Sequence, residues 1–149
     1  MEAKDIMTTE VTTVSEKMTV REAADLLFKL KISGLPVINE NEELVGMITE
    51  KDLIAMALPR YIDKLGSFAY ILEAVPFNKK LAEAAQVTVK DIMREKVITV
   101  SPETLLPEIA RIMLTKRIRR LPVLDNKKIV GIIARSDIVK LIAREAGII

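Results

Sequence analysis

Apolar and polar positions along this chain change period several times, and the order of the changes occurs twice. A short β-branched run at residues 11–14 leads into Val20, Ala23, Ala24, Leu27 and Leu30, spaced as one face of a helix. Thr19 followed by Glu22 has the form of a capping box at that helix's start. Two apolar runs come next, residues 35–38 and 44–48, separated by the polar stretch Asn39-Glu40-Asn41-Glu42-Glu43, which predicts a hairpin. A second helix is expected from about residue 50. The later part repeats the order: a β-branched run at 97–100, a helix opened by Thr104 with Pro107 in its first turn, two apolar runs, and a closing helix. Each copy is therefore predicted to be strand, helix, strand, strand, helix.

Sliding the chain along itself shows that the copies share residues as well as pattern. Lys4-Asp5-Ile6-Met7 pairs with Lys90-Asp91-Ile92-Met93, Thr13-Val14-Ser15 with Thr99-Val100-Ser101, and Leu35-Pro36-Val37 with Leu121-Pro122-Val123. After a change of one residue in turn length, Val45-Gly46 falls on Val130-Gly131, Ile48 on Ile133 and Asp52 on Asp137. Together 18 of about 50 aligned positions are identical, where unrelated sequence gives about 3. The chain divides into repeat 1 (residues 1–58), an intervening segment (59–88) and repeat 2 (89–149). About 50 residues close a core poorly alone, so the expected fold is α/β (α+β), with the two repeats packed sheet to sheet as a pseudo-two-fold pair. The intervening segment is patterned as short helices broken at Gly66 and Pro76 and holds Tyr61, Phe68, Tyr70 and Phe77. These rings suit an inserted helical layer anchored on the core, or an interface with a partner.

Composition removes several chemistries. The 149 residues include no Cys and no His, which excludes disulfides, thiolate nucleophiles, imidazole bases and the usual nitrogen and sulfur ligands of zinc. No apolar stretch reaches the roughly 20 residues of a bilayer span, and the opening residues do not begin a signal peptide, so a cytoplasmic, membrane-free location is expected. With 23 basic and 21 acidic side chains the charge is too balanced for nucleic acid to be the leading partner. Abundant Lys, Glu and Arg also suit a hyperthermophile.

Candidate chemistry gathers where a buried strand runs into a helix. Thr49 and Asp52 stand three residues apart in Gly46-Met47-Ile48-Thr49-Glu50-Lys51-Asp52, and the second copy reads Gly131-Ile132-Ile133-Ala134-Arg135-Ser136-Asp137. Thr49 with Asp52 resembles a capping box that needs no ligand, but Ala134 has no hydroxyl, so capping is not expected to explain Asp137. A carboxylate at a helix opening can accept both ribose hydroxyls while neighbouring N–H groups face a phosphate. Lys116-Arg117-Ile118-Arg119-Arg120 precedes the second Leu-Pro-Val strand. These cations suit a helix C-terminus; alternatively Arg119 and Arg120 clamp phosphate with their planar guanidinium groups. Val97, Ile98, Ile118 and Pro122, with Val11, Thr12, Ile32 and Pro36 in the first copy, either wall a flat base or belong to the core.

The paired Lys-Asp-Ile-Met openings, the Leu-Pro-Val strands, and Val-Gly followed by a helix-opening Asp resemble a tandem of cystathionine-β-synthase (CBS) domains, a Bateman module. The resemblance covers both repeats. It implies clefts between the repeats, a disc-shaped homodimer, and binding of AMP, ADP, ATP or S-adenosylmethionine as regulatory ligands, with no resident cofactor and no metal. Carried over residue by residue, it implies one cleft joining Thr12, Ile32 and Ser33 to Ser136 and Asp137, with Arg119 and Arg120 near the phosphates. The other joins Ile98, Ile118 and Arg119 to Thr49, Lys51 and Asp52. Ala134 departs from the family's Ser/Thr, and Gly34 lacks the side chain of Arg120, so the two clefts are expected to differ, the one with Asp137 being favoured.

The expected function is a non-catalytic module that senses adenosyl ligands and signals to an effector protein carried on another chain. The alternative is a homodimerisation scaffold that binds nothing. An enzyme is disfavoured because Asp52 and Asp137 lie in separate repeats with no identifiable base or metal cluster.

Overall fold

The computed structural model describes residues 1–57, 82–83 and 86–149. The expected helices of the intervening segment, their breaks at Gly66 and Pro76, and the four aromatic rings lie outside the described residues. Among the described residues the elements run α1 (Ala3–Ile6), β1 (Val14–Ser15), α2 (Val20–Leu30), β2 (Gly34–Ile38), β3 (Leu44–Thr49), α3 (Glu50–Ala57), α4 (Val89–Ile92), α5 (Leu106–Thr115), β4 (Arg120–Asp125), β5 (Lys128–Ala134) and α6 (Arg135–Glu145). This mixed α/β order reproduces the predicted repeat, each copy opened by a single-turn helix.

Two expectations of detail are corrected. The β-branched runs are barely strands: β1 keeps two residues, paired in parallel with β2 at Val14↔Val37 and Ser15↔Ile38, and the second run keeps one parallel bridge, Val100↔Val123. β propensity without a partner ladder makes no strand. Thr104 does not cap α5. Its Oγ1 accepts from the Ser101 N–H at 3.1 Å, the helix begins after Leu105, and Pro107 fills the first turn, where a missing N–H costs nothing. Thr19 does cap α2, accepting from the Glu22 N–H at 3.2 Å. Of the predicted α2 stripe, Val20, Ala23 and Leu27 are buried, while Leu30, on the last turn at the stripe's edge, is exposed. The chain leaves α2 through Lys31 and α5 through Arg117, both left-handed (φ 53° and 54°), so matched positions turn the chain alike.

The repeat is a unit of sequence, but each compact unit is assembled from both copies. One unit comprises Met1–Thr12, Glu40–Leu44 and Lys96–Ile149; the other comprises Thr13–Asn39 and Val45–Glu95. In the first, Thr8 and Ile132 exchange backbone hydrogen bonds of 2.9 and 3.0 Å, and the N–H groups of Ala3 and Lys4 donate to Thr104 and Pro102. In the second, Arg94 and Met47 exchange two bonds of 2.9 Å, and Val89 and Lys90 donate to Met18 and Glu16. The Lys-Asp-Ile-Met segment of each copy therefore serves the hairpin of the other.

Each unit has its own core. Ala3, Val100, Ile109, Met113, Leu121, Val123 and Ile133 form one, and Val14, Ala23, Leu27, Leu35, Val37, Ile48 and Val89 the other. In the first, β4 and β5 form an antiparallel hairpin with a bulge between Val123 and Leu124. In the second, the sheet order is β1-β2-β3.

Candidate functional site

The strand-to-helix junction is built alike in both units. The Glu50 N–H donates to the Ser33 carbonyl at 2.9 Å, and the Arg135 N–H to the Arg119 carbonyl at 3.0 Å. Each bond ties the loop before a Leu-Pro-Val strand to the opening of the closing helix. Ser33, with half-buried Ile32 beside it, is thereby drawn to Thr49, Lys51 and Asp52, and Arg119, with half-buried Ile118, to Ser136 and Asp137. In the second case Arg120 stands opposite Ala134 in the β4–β5 ladder, so it faces the same junction.

The two carboxylates are held differently. Asp52 Oδ2 accepts from the Thr49 N–H at 2.8 Å and the Thr49 hydroxyl at 2.9 Å, while its Oδ1 takes a longer contact of 3.4 Å from Arg94 Nε. Its side chain is 11% exposed. Asp137 Oδ2 accepts from the Ala134 N–H at 2.8 Å, and its Oδ1 has no partner among the described residues. The expectation that capping does not explain Asp137 is thereby corrected, because the donor is a backbone N–H and Ala134 supplies it without a hydroxyl. Capping accounts for one oxygen of Asp137 and for both oxygens of Asp52 with its arginine.

The other candidates divide by burial. Pro36 and Pro122 are fully buried and take the core reading. Ile98, Thr12, Lys51, Arg119 and Ser136 are exposed, and Arg120 is half-buried. The cleft pairings implied by resemblance join residues of different units and carry over only as a proposal. Two residues were missed by the sequence reading. Arg94 is reached only through the exchange of opening segments, which no local pattern reveals. Arg135 was visible, since it replaces Glu50 at the matched helix start.

Among the described residues there is no cluster of carboxylates suited to a metal ion and no helix long and apolar enough to cross a membrane. An open groove of about 780 Å³ runs along α2, lined by Thr19, Arg21, Glu22, Ala24, Asp25, Phe28 and Gln86. None of the junction residues lines it, so it forms no part of either junction.

Comparison with known proteins bears on the same residues. The CBS domain family model matches residues 3–58 and 89–144, both repeats. The uncharacterized protein MJ1426 of Methanocaldococcus jannaschii is 32% identical over 149 residues, covering 92% of this chain and 88% of that one. CBSX2 from Arabidopsis thaliana superposes with a TM-score of 0.78 at 28% identity, over 98% of this chain and 96% of that one, and a structure of CBSX2 holds AMP. The CBS domain pair of MJ0100, solved with 5-methylthioadenosine and S-adenosyl-L-methionine, superposes with a TM-score of 0.70 at 27% identity, over 97% and 98% of the two chains.

Proposed function

Since the chain belongs to the CBS domain family, we propose that it is a non-catalytic regulatory module that binds adenosyl ligands at its strand-to-helix junctions and passes their occupancy to a partner protein. The observation that carries the proposal is Asp137. Its carboxylate is half-buried at a helix opening, one oxygen spent on the Ala134 N–H and the other without a partner among the described residues, beside Ser136 and Arg119. A ribose diol suits that second oxygen, and a phosphate suits the cations and the positive end of a helix. The ligands held by CBSX2 and MJ0100 share an adenosyl group and differ in what is attached to it.

Thr12, Ile32, Ser33, Thr49, Lys51, Asp52, Ile98, Ile118, Arg119, Arg120, Ser136 and Asp137 are the proposed contacts. A cytoplasmic location is part of the same proposal. Self-association belongs to the same reading: Phe28 and Leu114 occupy matched positions on α2 and α5, Ile54 and Val139 on α3 and α6, and all four are exposed. Apolar groups kept at matched exposed sites in both copies suit burial against a second chain.

Isothermal titration calorimetry of AMP and S-adenosylmethionine against the wild type, Asp52→Ala and Asp137→Ala tests the proposal. Micromolar dissociation constants, about −8 kcal/mol, are expected, and AMP binding should be lost in Asp137→Ala. Absence of heat with every adenosyl ligand would leave the homodimerisation scaffold as the better account.

A further inference from the structure

Peroxide chemistry on this chain falls on methionine: seven are present, with no cysteine and no tryptophan. Two of the seven, Met7 and Met93, close the paired opening segments, and each is half-buried where its segment meets the hairpin of the other copy. For comparison, Met1 is 57% exposed and Met113 lies in the core at 2%.

Neither contact has space on its glycine side. The nearest neighbours of a Cβ on Gly131 would be three side-chain atoms of Met7, the sulfur among them. Those of a Cβ on Gly46 would be the sulfur and Cγ of Met93 and the carbonyl oxygen of Arg94, all within 3.0 Å. An oxygen added to the face of either sulfur turned towards its glycine therefore has no room. On any other face it converts a thioether packed against a hydrophobic core into a polar group that only accepts hydrogen bonds. At Met93 the Arg94 carbonyl is a second acceptor close by, and two acceptors repel.

The crosswise exchange depends on the same places. Directly beside Met7, Thr8 and Ile132 trade two backbone hydrogen bonds, and directly beside Met93, Arg94 and Met47 trade two more. A modification that the released segment accepts and the docked segment does not shifts the balance towards release.

We propose that Met7 and Met93 are modification sites at which a peroxide loosens the opening segments from the hairpins they serve. A sulfur lone pair attacks one oxygen of hydrogen peroxide, an S–O bond forms as the O–O bond breaks, and the proton on the transferred oxygen passes to the departing hydroxide. The thioether is oxidised by two electrons to the sulfoxide and the peroxide is reduced to water. Enzymatic reduction of the sulfoxide restores the thioether, so the loosening is reversible. The inference concerns the opening segments alone and stands apart from ligand binding at the junctions.

The test treats the full chain with graded hydrogen peroxide and follows it by peptide mass spectrometry, thermal unfolding and amide hydrogen exchange. One added oxygen should appear on the peptides holding Met7 and Met93 while Met113 remains unmodified. Oxidation should lower Tm by about 5 °C or more and speed exchange at the amides of Thr8, Ile132, Met47 and Arg94. Methionine sulfoxide reductase should reverse both changes. Met7→Leu/Met93→Leu keeps similar volume without an oxidisable sulfur, so the same dose should leave its Tm and exchange unchanged. Met7→Gln/Met93→Gln places a polar group at both sites and should show the fast exchange with no oxidant. Several results overturn the inference: Met7 and Met93 unmodified at a dose that fully oxidises Met1, oxidised wild type exchanging at the untreated rate, an equal loss of Tm in the oxidised leucine variant, or a glutamine variant exchanging like untreated wild type.

Discussion

Met93 lies across Gly46 so closely that a Cβ on that glycine would stand 2.6 Å from the Met93 sulfur and 2.8 Å from the carbonyl oxygen of Arg94. Met7 covers Gly131 in the same way, meeting it only through side-chain atoms. The paired Ile-Met and Val-Gly motifs are thus two halves of one contact, made crosswise: the methionine of each copy needs the bare glycine of the other.

Overpacking either glycine should therefore destabilise the fold, with a difference. Gly131→Ala meets a flexible thioether and should cost about 1 kcal/mol, much of it recovered in Gly131→Ala/Met7→Ala. Gly46→Ala also meets backbone, should cost about 2–3 kcal/mol, and should not be recovered by Met93→Ala. Urea unfolding of the single and double variants measures both cycles. Equal rescue at the two sites would contradict the account.

The helix-opening carboxylates should differ in structural weight. Asp137→Ala removes one hydrogen bond to a backbone N–H and should cost about 1 kcal/mol. Asp52→Ala removes the bonds from both the Thr49 N–H and the Thr49 hydroxyl at a largely buried carboxylate, while exposed Arg94 turns to solvent, so about 2 kcal/mol is expected. Thermal unfolding without ligand ranks them, and the reverse order would mean that Asp137 has partners unaccounted for.

Self-association should depend on the matched exposed residues of the closing helices. Ile54 and Val139 are 63% and 64% exposed. Sedimentation velocity should show a dimer for the wild type and a monomer for Ile54→Glu/Val139→Glu. A monomeric wild type would remove the assembly part of the reading and leave ligand binding untouched.

One surface pair gives a pH-dependent term of known sign. Hydrogen bonding to Arg111, with the attraction of its charge, holds the Glu108 carboxyl below its usual value of 4.5. A carboxyl depressed on folding contributes stability above its unfolded value, and that contribution is lost as pH falls below 4.5 through the folded value. Both groups are exposed, so the effect should be small and weakened by salt. An NMR titration should place Glu108 higher in Arg111→Ala, and an unchanged titration would contradict the pairing.

Much of this architecture was legible because its signals are local. The α2 stripe of Val20, Ala23 and Leu27, the Thr19 cap and the Leu-Pro-Val strands depend on residues within a few positions of one another. What was not legible depends on distant segments. The crosswise exchange follows from the contacts of Met7 and Met93, and because the two opening segments are identical, sequence offers no means of telling which hairpin each one meets. The β-branched runs at 11–14 and 97–100 kept little strand because pairing, not propensity, decides. At the candidate site, Asp52 and Asp137 stood out by position, but only geometry separates a carboxylate with both oxygens engaged from one with a single oxygen engaged among the described residues. The Ala134 N–H that caps Asp137 was overlooked for a physical reason: every residue but proline carries that donor, so the amino-acid letter does not advertise it.

The central claim, that an adenosyl ligand is held at the Asp137 junction, is tested most directly by titrating AMP into 15N-labelled protein and following the backbone amides by NMR. The account predicts saturable shifts concentrated at Arg119, Arg120, Arg135, Ser136 and Asp137, absent in Asp137→Ala. Saturable shifts confined to other regions, or no shifts at millimolar AMP, would contradict it.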